Sequence, residues 1–245
     1  MDRKALKSRA KEGLRGNWLF AIIAFIIYQV LSGNAPSLFS SRGDGDRQGR
    51  PAEGMNEAEQ WFESLSTGEV WLFAAGATLI MVIIFAIALL LLPIHVGYAN
   101  FNLQLIRGHE ANLNRLFRPF KEMYAKAFVT MFLKFLFIFL WSLLLIIPGI
   151  IKWFSYSMTE YLLNDHPELS RTEAITASRR MMDGHKGELF LLWLSFLGWF
   201  LLGIVTLGIG YLWIMPYWYA SVAAFYDQLK DGAAHAAPER YYDTF

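Results

Sequence analysis

The sequence predicts an all-α, polytopic membrane protein: a bundle of about six transmembrane helices in three hairpins, with amphipathic helices at the interface. Three observations carry this. The 245 residues are 55% hydrophobic and 16% aromatic, and the charges crowd between long stretches that hold almost none. At least four of those stretches approach the roughly 20 apolar residues that a helix needs to cross about 30 Å of hydrocarbon. Lysine and arginine concentrate in alternate connections, the asymmetry that orients a membrane chain. The chain reads as a single membrane domain, 1–245, with an extracytoplasmic insertion at 33–69 and a polar C-terminal tail at 231–245.

The first element is a basic helix. Arg3, Lys4, Lys7, Arg9, Lys11 and Arg15 surround Leu6, Ala10 and Leu14, which recur every four residues. That spacing gives one apolar stripe suited to lying on an anionic leaflet, or else a solvated positive flank. No cleavable leader is expected, because the first apolar run begins only near Trp18 and no small-residue cleavage site follows it. Span 1 covers 18–32. Residues 41–54 are rich in Gly, Ser, Asp, Arg and Pro and read as a loop. A short surface helix is expected at 56–65, with Trp61 and Phe62 dipping into the interface. The triplet Arg42, Gly43 and Asp44 is read as chance.

Span 2 covers 70–92, and a polar helical segment, 98–107, is expected to continue into the cytosol. Span 3 covers 128–147. Ile147, Pro148, Gly149 and Ile150 form a turn signal, since proline presets the second turn position and glycine allows positive φ at the third. Span 4, at 150–164, is short. Ser170 and Glu173 fit a capping box that starts a helix running to about Asp183, with Gly184 as its stop. Span 5 covers 189–206, Gly208 and Gly210 mark a second tight turn, and span 6 covers 211–229 with a kink expected at Pro216. Tyr211, Trp213, Tyr217, Trp218 and Tyr219 are assigned to an outer aromatic belt.

Charge then orients the chain. Residues 1–17 carry six Lys and Arg, 98–127 carry five and 165–188 carry four, against three in 33–69 and none in 207–212. Both termini are therefore expected in the cytoplasm. Were 150–164 to lie in the interface without crossing, everything after it would invert, against the charge rule.

The chain has no cysteine, so disulfides and Cys-ligated metals are excluded. It lacks a Walker loop, HExxH, GxSxG and a dinucleotide fingerprint. Its five histidines (His95, His109, His166, His185 and His235) have no metal-ligand spacing. No enzyme activity, cofactor, metal or nucleic-acid partner is expected.

Span 4 holds the most informative residues. Lys152, Ser155, Tyr156, Thr159, Glu160 and Asn164 recur at spacings of three and four and make one polar stripe on an apolar helix. Ionisable groups inside a bilayer face the bundle interior or a wet cavity, since lipid exposure costs several kcal/mol. Lys134 on span 3 lies at a similar depth to Glu160, within about 4–5 Å along the hairpin axis, so an ion pair between them is expected. Two readings stand for Lys134, Lys152, Tyr156, Thr159 and Glu160. They hold the hairpin together, or they form a proton, ion or headgroup site. A second constellation, Arg179, Arg180, His185 and Lys186, sits where a helix ends at the inner leaflet. It suits lipid phosphate or serves as a basic anchor. Gly198, Gly203, Gly208 and Gly210 lack the i, i+4 spacing of the common helix-dimer motif and read as packing and turn residues.

Several blocks together resemble the DUF975 family of bacterial membrane proteins. They are Leu14, Arg15, Gly16, Asn17 and Trp18; the stretch from Ile147 through Lys152; Tyr156, Ser157 and Met158; the stretch from Ser178 through Lys186; and Leu194 to Trp199, with Thr206 to Trp213, Pro216 and Tyr217. The resemblance covers nearly the whole chain outside roughly 35–69. A more distant similarity is to the non-catalytic membrane domain attached to some glycerophosphodiester phosphodiesterases, although this chain has no room for the catalytic barrel. The resemblance implies a multi-pass protein of a bacterial plasma membrane and supplies no activity. The resulting expectation is a membrane accessory protein contacting anionic lipid or a partner at the inner leaflet. The alternative is a small transporter or channel lined by the polar face of span 4. Membrane lipids, a second copy of the chain or another membrane protein are the expected partners.

Overall fold

A computed structural model describes residues 2–32 and 66–236. The loop at 41–54, the Arg42 triplet and the helix expected at 56–65 lie outside the described residues. Twelve helices follow in order: α1 (Arg3–Leu14), α2 (Trp18–Leu31), α3 (Thr67–Leu90), α4 (Ile94–Ile106), α5 (Asn114–Glu122), α6 (Tyr124–Leu144), α7 (Ile146–Ser155), α8 (Thr159–Asp165), α9 (Arg171–Met181), α10 (Lys186–Leu194), α11 (Leu197–Val205) and α12 (Tyr211–Ala236). Among the described residues no strand occurs.

Three stretches are long and apolar enough to cross a membrane: Thr67–Ile106, Tyr124–Leu144 and Lys186–Val205. They correspond to spans 2, 3 and 5. The pair α1 and α2 meets the test only jointly and bends by 98°. These helices make the chain a membrane protein by length and composition. Their apolar side chains cover the outside of the bundle, from Phe132 to Ile151 along α6 and α7 and from Phe190 to Ile209 along α10, α11 and the turn beyond. α3 has no buried residue at all. It starts at Thr67, behind a capping box of Ser66 and Glu69 that the assignment of 33–69 to a loop passed over.

The core lies around α4 and α12. The segment 98–107 lies largely in α4, the most enclosed helix of the bundle: Tyr98, Asn100, Phe101, Asn102 and Leu103 are all buried. Several of its polar groups find partners inside the bundle. Asn100 Nδ2 donates to Asn164 Oδ1 (2.7 Å), Asn102 Nδ2 to the Tyr98 carbonyl (2.8 Å), and Asn164 Nδ2 to the Val96 carbonyl (2.9 Å). Gly97 lets α5 pack directly on α4. A Cβ there would lie 1.9 Å from the Leu116 carbonyl oxygen.

The N-terminal helix forms as expected, capped by Asp2, and Leu6, Ala10 and Leu14 are its buried residues. They pack against α4 and α12, so protein occupies the face that would otherwise rest on a leaflet.

Span 4 differs most from expectation. It is broken into α7 and α8 with a turn at 156–158. α7 has ten residues and advances about 15 Å, half the hydrocarbon thickness. The reversal before it falls at Leu145, which is extended (φ −159°, ψ 143°). Pro148 therefore sits in the first turn of α7, where its missing N–H costs nothing. Gly149 serves close approach and not positive φ: a Cβ would meet Ser142 Cα at 2.8 Å. The second turn is as expected, with Gly208 at φ +88°.

The capping box of Ser170 and Glu173 opens α9, and the Glu173 carboxyl, bonded to the Ser170 backbone, is held below its ordinary value. α12 contains Pro216 and runs on to Ala236, so the first part of the expected polar tail is helical. The residues assigned to the aromatic belt differ in their surroundings. Trp213 is exposed, but Trp218 and Tyr217 pack on Phe196 and Tyr219 packs on Tyr28 and Tyr98. One face of α12 turns its aromatics inward.

Candidate functional site

Lys134 is the middle residue of α6, ten positions from each end. The reversal at Leu145 brings the chain back beside α6, and the turn after α7 delivers Glu160 to the same level. Lys134 Nζ and Glu160 Oε1 pair at 2.5 Å, with side chains 6% and 13% exposed. The pair expected from the hairpin spacing is thus formed. The break that makes this possible is closed by α9. Ser178 Oγ accepts from the Met158 N–H (3.1 Å) and donates to the Ser155 carbonyl (3.0 Å), satisfying backbone groups that the interrupted helix leaves free.

The ion pair borders a cavity of about 220 Å³. Its aromatic wall comes from Tyr28 of α2, Tyr98 of α4 and Tyr219 of α12, with Tyr28 and Tyr98 stacked at 4.3 Å. His95 Nδ1 shares a hydrogen bond with the Tyr28 hydroxyl at 2.9 Å. Two buried polar atoms on the lining have no protein partner, Glu160 Oε2 and the Tyr98 hydroxyl. Phe135 and Trp153, also on the lining, are 39% and 46% exposed and mark the mouth.

The remaining stripe residues go elsewhere. Thr159 is fully buried, and its hydroxyl donates to the Tyr156 carbonyl. Lys152 and Tyr156 lie in a separate groove of about 330 Å³ between α6, α7 and α9, together with Arg179, Thr172 and Thr176. Lys152 Nζ sits 4.7 Å from the Trp141 ring centroid. This groove has two cations, three hydroxyls and no carboxylate among its lining residues. The four basic residues of the second constellation have separate surroundings. Arg179 faces the groove, Arg180 is exposed, His185 Nδ1 meets Glu188 Oε2 at 2.7 Å, and Lys186 Nζ meets Asp183 Oδ1 at 3.1 Å.

A third polar cluster escaped the sequence reading. Arg107, just past the end of α4, donates from Nη1 and Nη2 to both oxygens of Asp165 (2.9 and 2.7 Å) and from Nε and Nη2 to Asp227 Oδ1 (3.0 and 2.8 Å). Arg9 pairs with Asp227 Oδ2. Lys230 Nζ and the Tyr226 hydroxyl donate to Asp165 Oδ2 (2.7 and 3.2 Å). The network ties α1, α4, α8 and α12 together about 13 Å beyond Tyr98 along α4. Burial pushes the Asp165 carboxyl up, but hydrogen bonds from Arg107 and Lys230 outweigh it and hold the group at about 2. Burial likewise opposes the Arg107 charge, and the two carboxylates overcome it and raise its pKa. Arg107 and Asp165 stand at the ends of α4 and α8, while Arg9 and Asp227 lie within α1 and α12, so no shared helix position signals the cluster. Nothing in one sequence says that these four converge.

Fold and site define an all-helical membrane protein with a polar cavity enclosed among its helices. The family model described as a protein of unknown function, DUF975, matches residues 77–233. That is well over half of the 245 residues, and the chain belongs to this family. The match takes in the blocks from Ile147 onward that carried the resemblance, and the block at Leu14 to Trp18 lies ahead of it. No curated protein and no solved structure matches the chain.

Proposed function

We propose that this protein is a non-enzymatic accessory protein of a bacterial plasma membrane that engages anionic lipid headgroups. Six crossings, with both termini in the cytoplasm and α7 and α8 together as the fourth, complete the reading. The charge asymmetry of the connections supports that orientation. The observation that carries the function is the groove between α6, α7 and α9. Lys152 and Arg179 converge there without a competing carboxylate, hydroxyls of Tyr156, Thr172 and Thr176 are at hand, and Trp141 and Phe137 offer apolar surface beside them. Clustered cations next to apolar surface attract a lipid phosphate while the acyl chains stay in hydrocarbon.

The alternative, a transporter or channel lined by the polar face of span 4, has less support. The break at 156–158 divides that face among a groove, the core and a cavity, so its residues do not share one path.

The test is native mass spectrometry of detergent-purified protein supplied with phosphatidylglycerol or phosphatidylcholine. Wild type should retain phosphatidylglycerol in preference, and the double change Lys152→Ala and Arg179→Ala should lose that preference by about tenfold, the scale of one charge-assisted contact. Equal retention of both lipids by wild type would dismiss the reading. Flux of any solute through vesicles containing only this protein would favour the transporter.

A further inference from the structure

The cavity beside Lys134 and Glu160 is a different kind of site from the groove, and its unmatched atoms indicate what it takes. A buried carboxylate oxygen without a donor is costly. Glu160 Oε1 is used by Lys134, whereas Oε2 is shielded and unpartnered. The site therefore lacks a hydrogen-bond donor. Tyr28, Tyr98 and Tyr219 line the same cavity, and an aromatic lining favours a cationic donor over a neutral one.

Charge balance narrows the choice further. Lys134 and Glu160 cancel each other, so a lone cation would leave one net positive charge buried among apolar helices and a lone anion one net negative charge. A zwitterion avoids both, with its ammonium on Glu160 and its anionic group on Lys134. The volume of about 220 Å³ holds a headgroup and not a whole lipid. Phe135 and Trp153 open it sideways, at the apolar outer surfaces of α6 and α7, through which acyl chains can leave.

We propose that this cavity binds the zwitterionic headgroup of an aminophospholipid, entering laterally, with Glu160 receiving the ammonium N–H groups, Lys134 the phosphate, and the Tyr98 hydroxyl a further hydrogen bond. The ligand exchanges the internal ion pair for two external ones. This site is independent of the groove and of the anionic lipid assigned there.

The test follows quenching of the intrinsic tryptophan fluorescence, Trp153 and Trp218 lining the cavity, by brominated-chain lipids in detergent micelles. Phosphatidylethanolamine should saturate. Phosphatidylglycerol, which has no ammonium, and phosphatidylcholine, which has no N–H, should each bind about tenfold more weakly. Water-soluble phosphoethanolamine should compete only at much higher concentration. Glu160→Gln should remove the preference for phosphatidylethanolamine. Should that variant fail to fold, Tyr98→Phe decides the matter: it deletes only the hydroxyl and keeps the stacked ring, and binding should weaken several-fold. Equal binding of phosphatidylethanolamine and phosphatidylcholine, or unchanged binding in both variants, overturns the proposal. Competition by phosphoethanolamine as strong as by the lipid overturns lateral entry of a lipid and makes the ligand a soluble zwitterion.

Discussion

Replacing Arg107 by alanine tests whether the ion network holds the bundle. Its guanidinium makes four hydrogen bonds to two carboxylates, and the Asp165 and Asp227 side chains are only 9% exposed. Removing one partner of a fully buried pair costs roughly 3–5 kcal/mol, mostly because a charge is left stranded. Here Lys230 still holds Asp165 and Arg9 still holds Asp227, which lowers the expected loss to about 2–4 kcal/mol. At about 2–4 °C per kcal/mol for a chain of this size, the unfolding midpoint should fall on the order of 5–10 °C. The assay is intrinsic tryptophan fluorescence during heating in detergent, with loss of monodisperse protein on size exclusion as a second readout. Arg107→Lys keeps the charge but not the fork and should recover only part of the loss. The control is Arg118→Ala, which breaks an exposed i, i+4 pair with Glu122 and should change stability by less than about 0.5 kcal/mol. An Arg107→Ala midpoint within the error of Arg118→Ala would refute the idea that the network bears on stability.

Two further outcomes follow from the same geometry. The Asp165 carboxyl is held at about 2, below its ordinary 3.8, so it stabilises the folded state above about pH 4 and that contribution is lost as pH falls from 4 toward 2. The amount is about 1–2 kcal/mol after allowing for solvent at the rim, and in midpoints measured between pH 5 and 2.5 the acid-dependent drop should be shallower for Asp165→Asn than for wild type. Gly97→Ala should cost at least 1–3 kcal/mol by overpacking, because the added Cβ meets the Leu116 backbone at 1.9 Å, whereas Gly76→Ala, with nothing within 4 Å, should be harmless; yield after size exclusion separates the two.

Most local signals in the sequence carried through to the structure, the Pro148–Gly149 turn being the exception, since the reversal falls at Leu145. The repeat of Leu6, Ala10 and Leu14, the capping box at Ser170 and the glycine turn at 208 depend on neighbours within a few residues, and each forms. The pairing of Lys134 with Glu160 was also legible, because a tight hairpin fixes which residues share a level. What could not be read was the fate of polar residues that mate across distant helices. Asn100 in α4 looked solvated because its partner, Asn164, is visible only once α4 and α8 pack. Arg107 looked like an ordinary inner-leaflet cation for the same reason, its two carboxylates lying 58 and 120 positions away. Apolar content had the converse problem: Tyr217, Trp218 and Tyr219 have the composition of an interfacial belt, and only the packing of α12 shows them partly buried against the core.

The broken fourth span ties these observations into one arrangement. A helix of ten residues cannot cross by itself, and its free backbone groups at Ser155 and Met158 need partners that lipid cannot supply. Ser178 provides them, which requires α9 to lie against the break and not on the surface. Docked that way, α9 carries Ser178 inward and Arg179 outward, placing the guanidinium beside Lys152. The same break swings Glu160 away from Lys152 and onto Lys134. A stripe that would line one path on an intact helix becomes two separate polar sites, one basic, the other neutral overall. The interruption that looked like the weakest point of the topology is thus what sorts the charges by function: a basic groove suits an anion, and a buried pair of opposite charges suits a ligand that carries both.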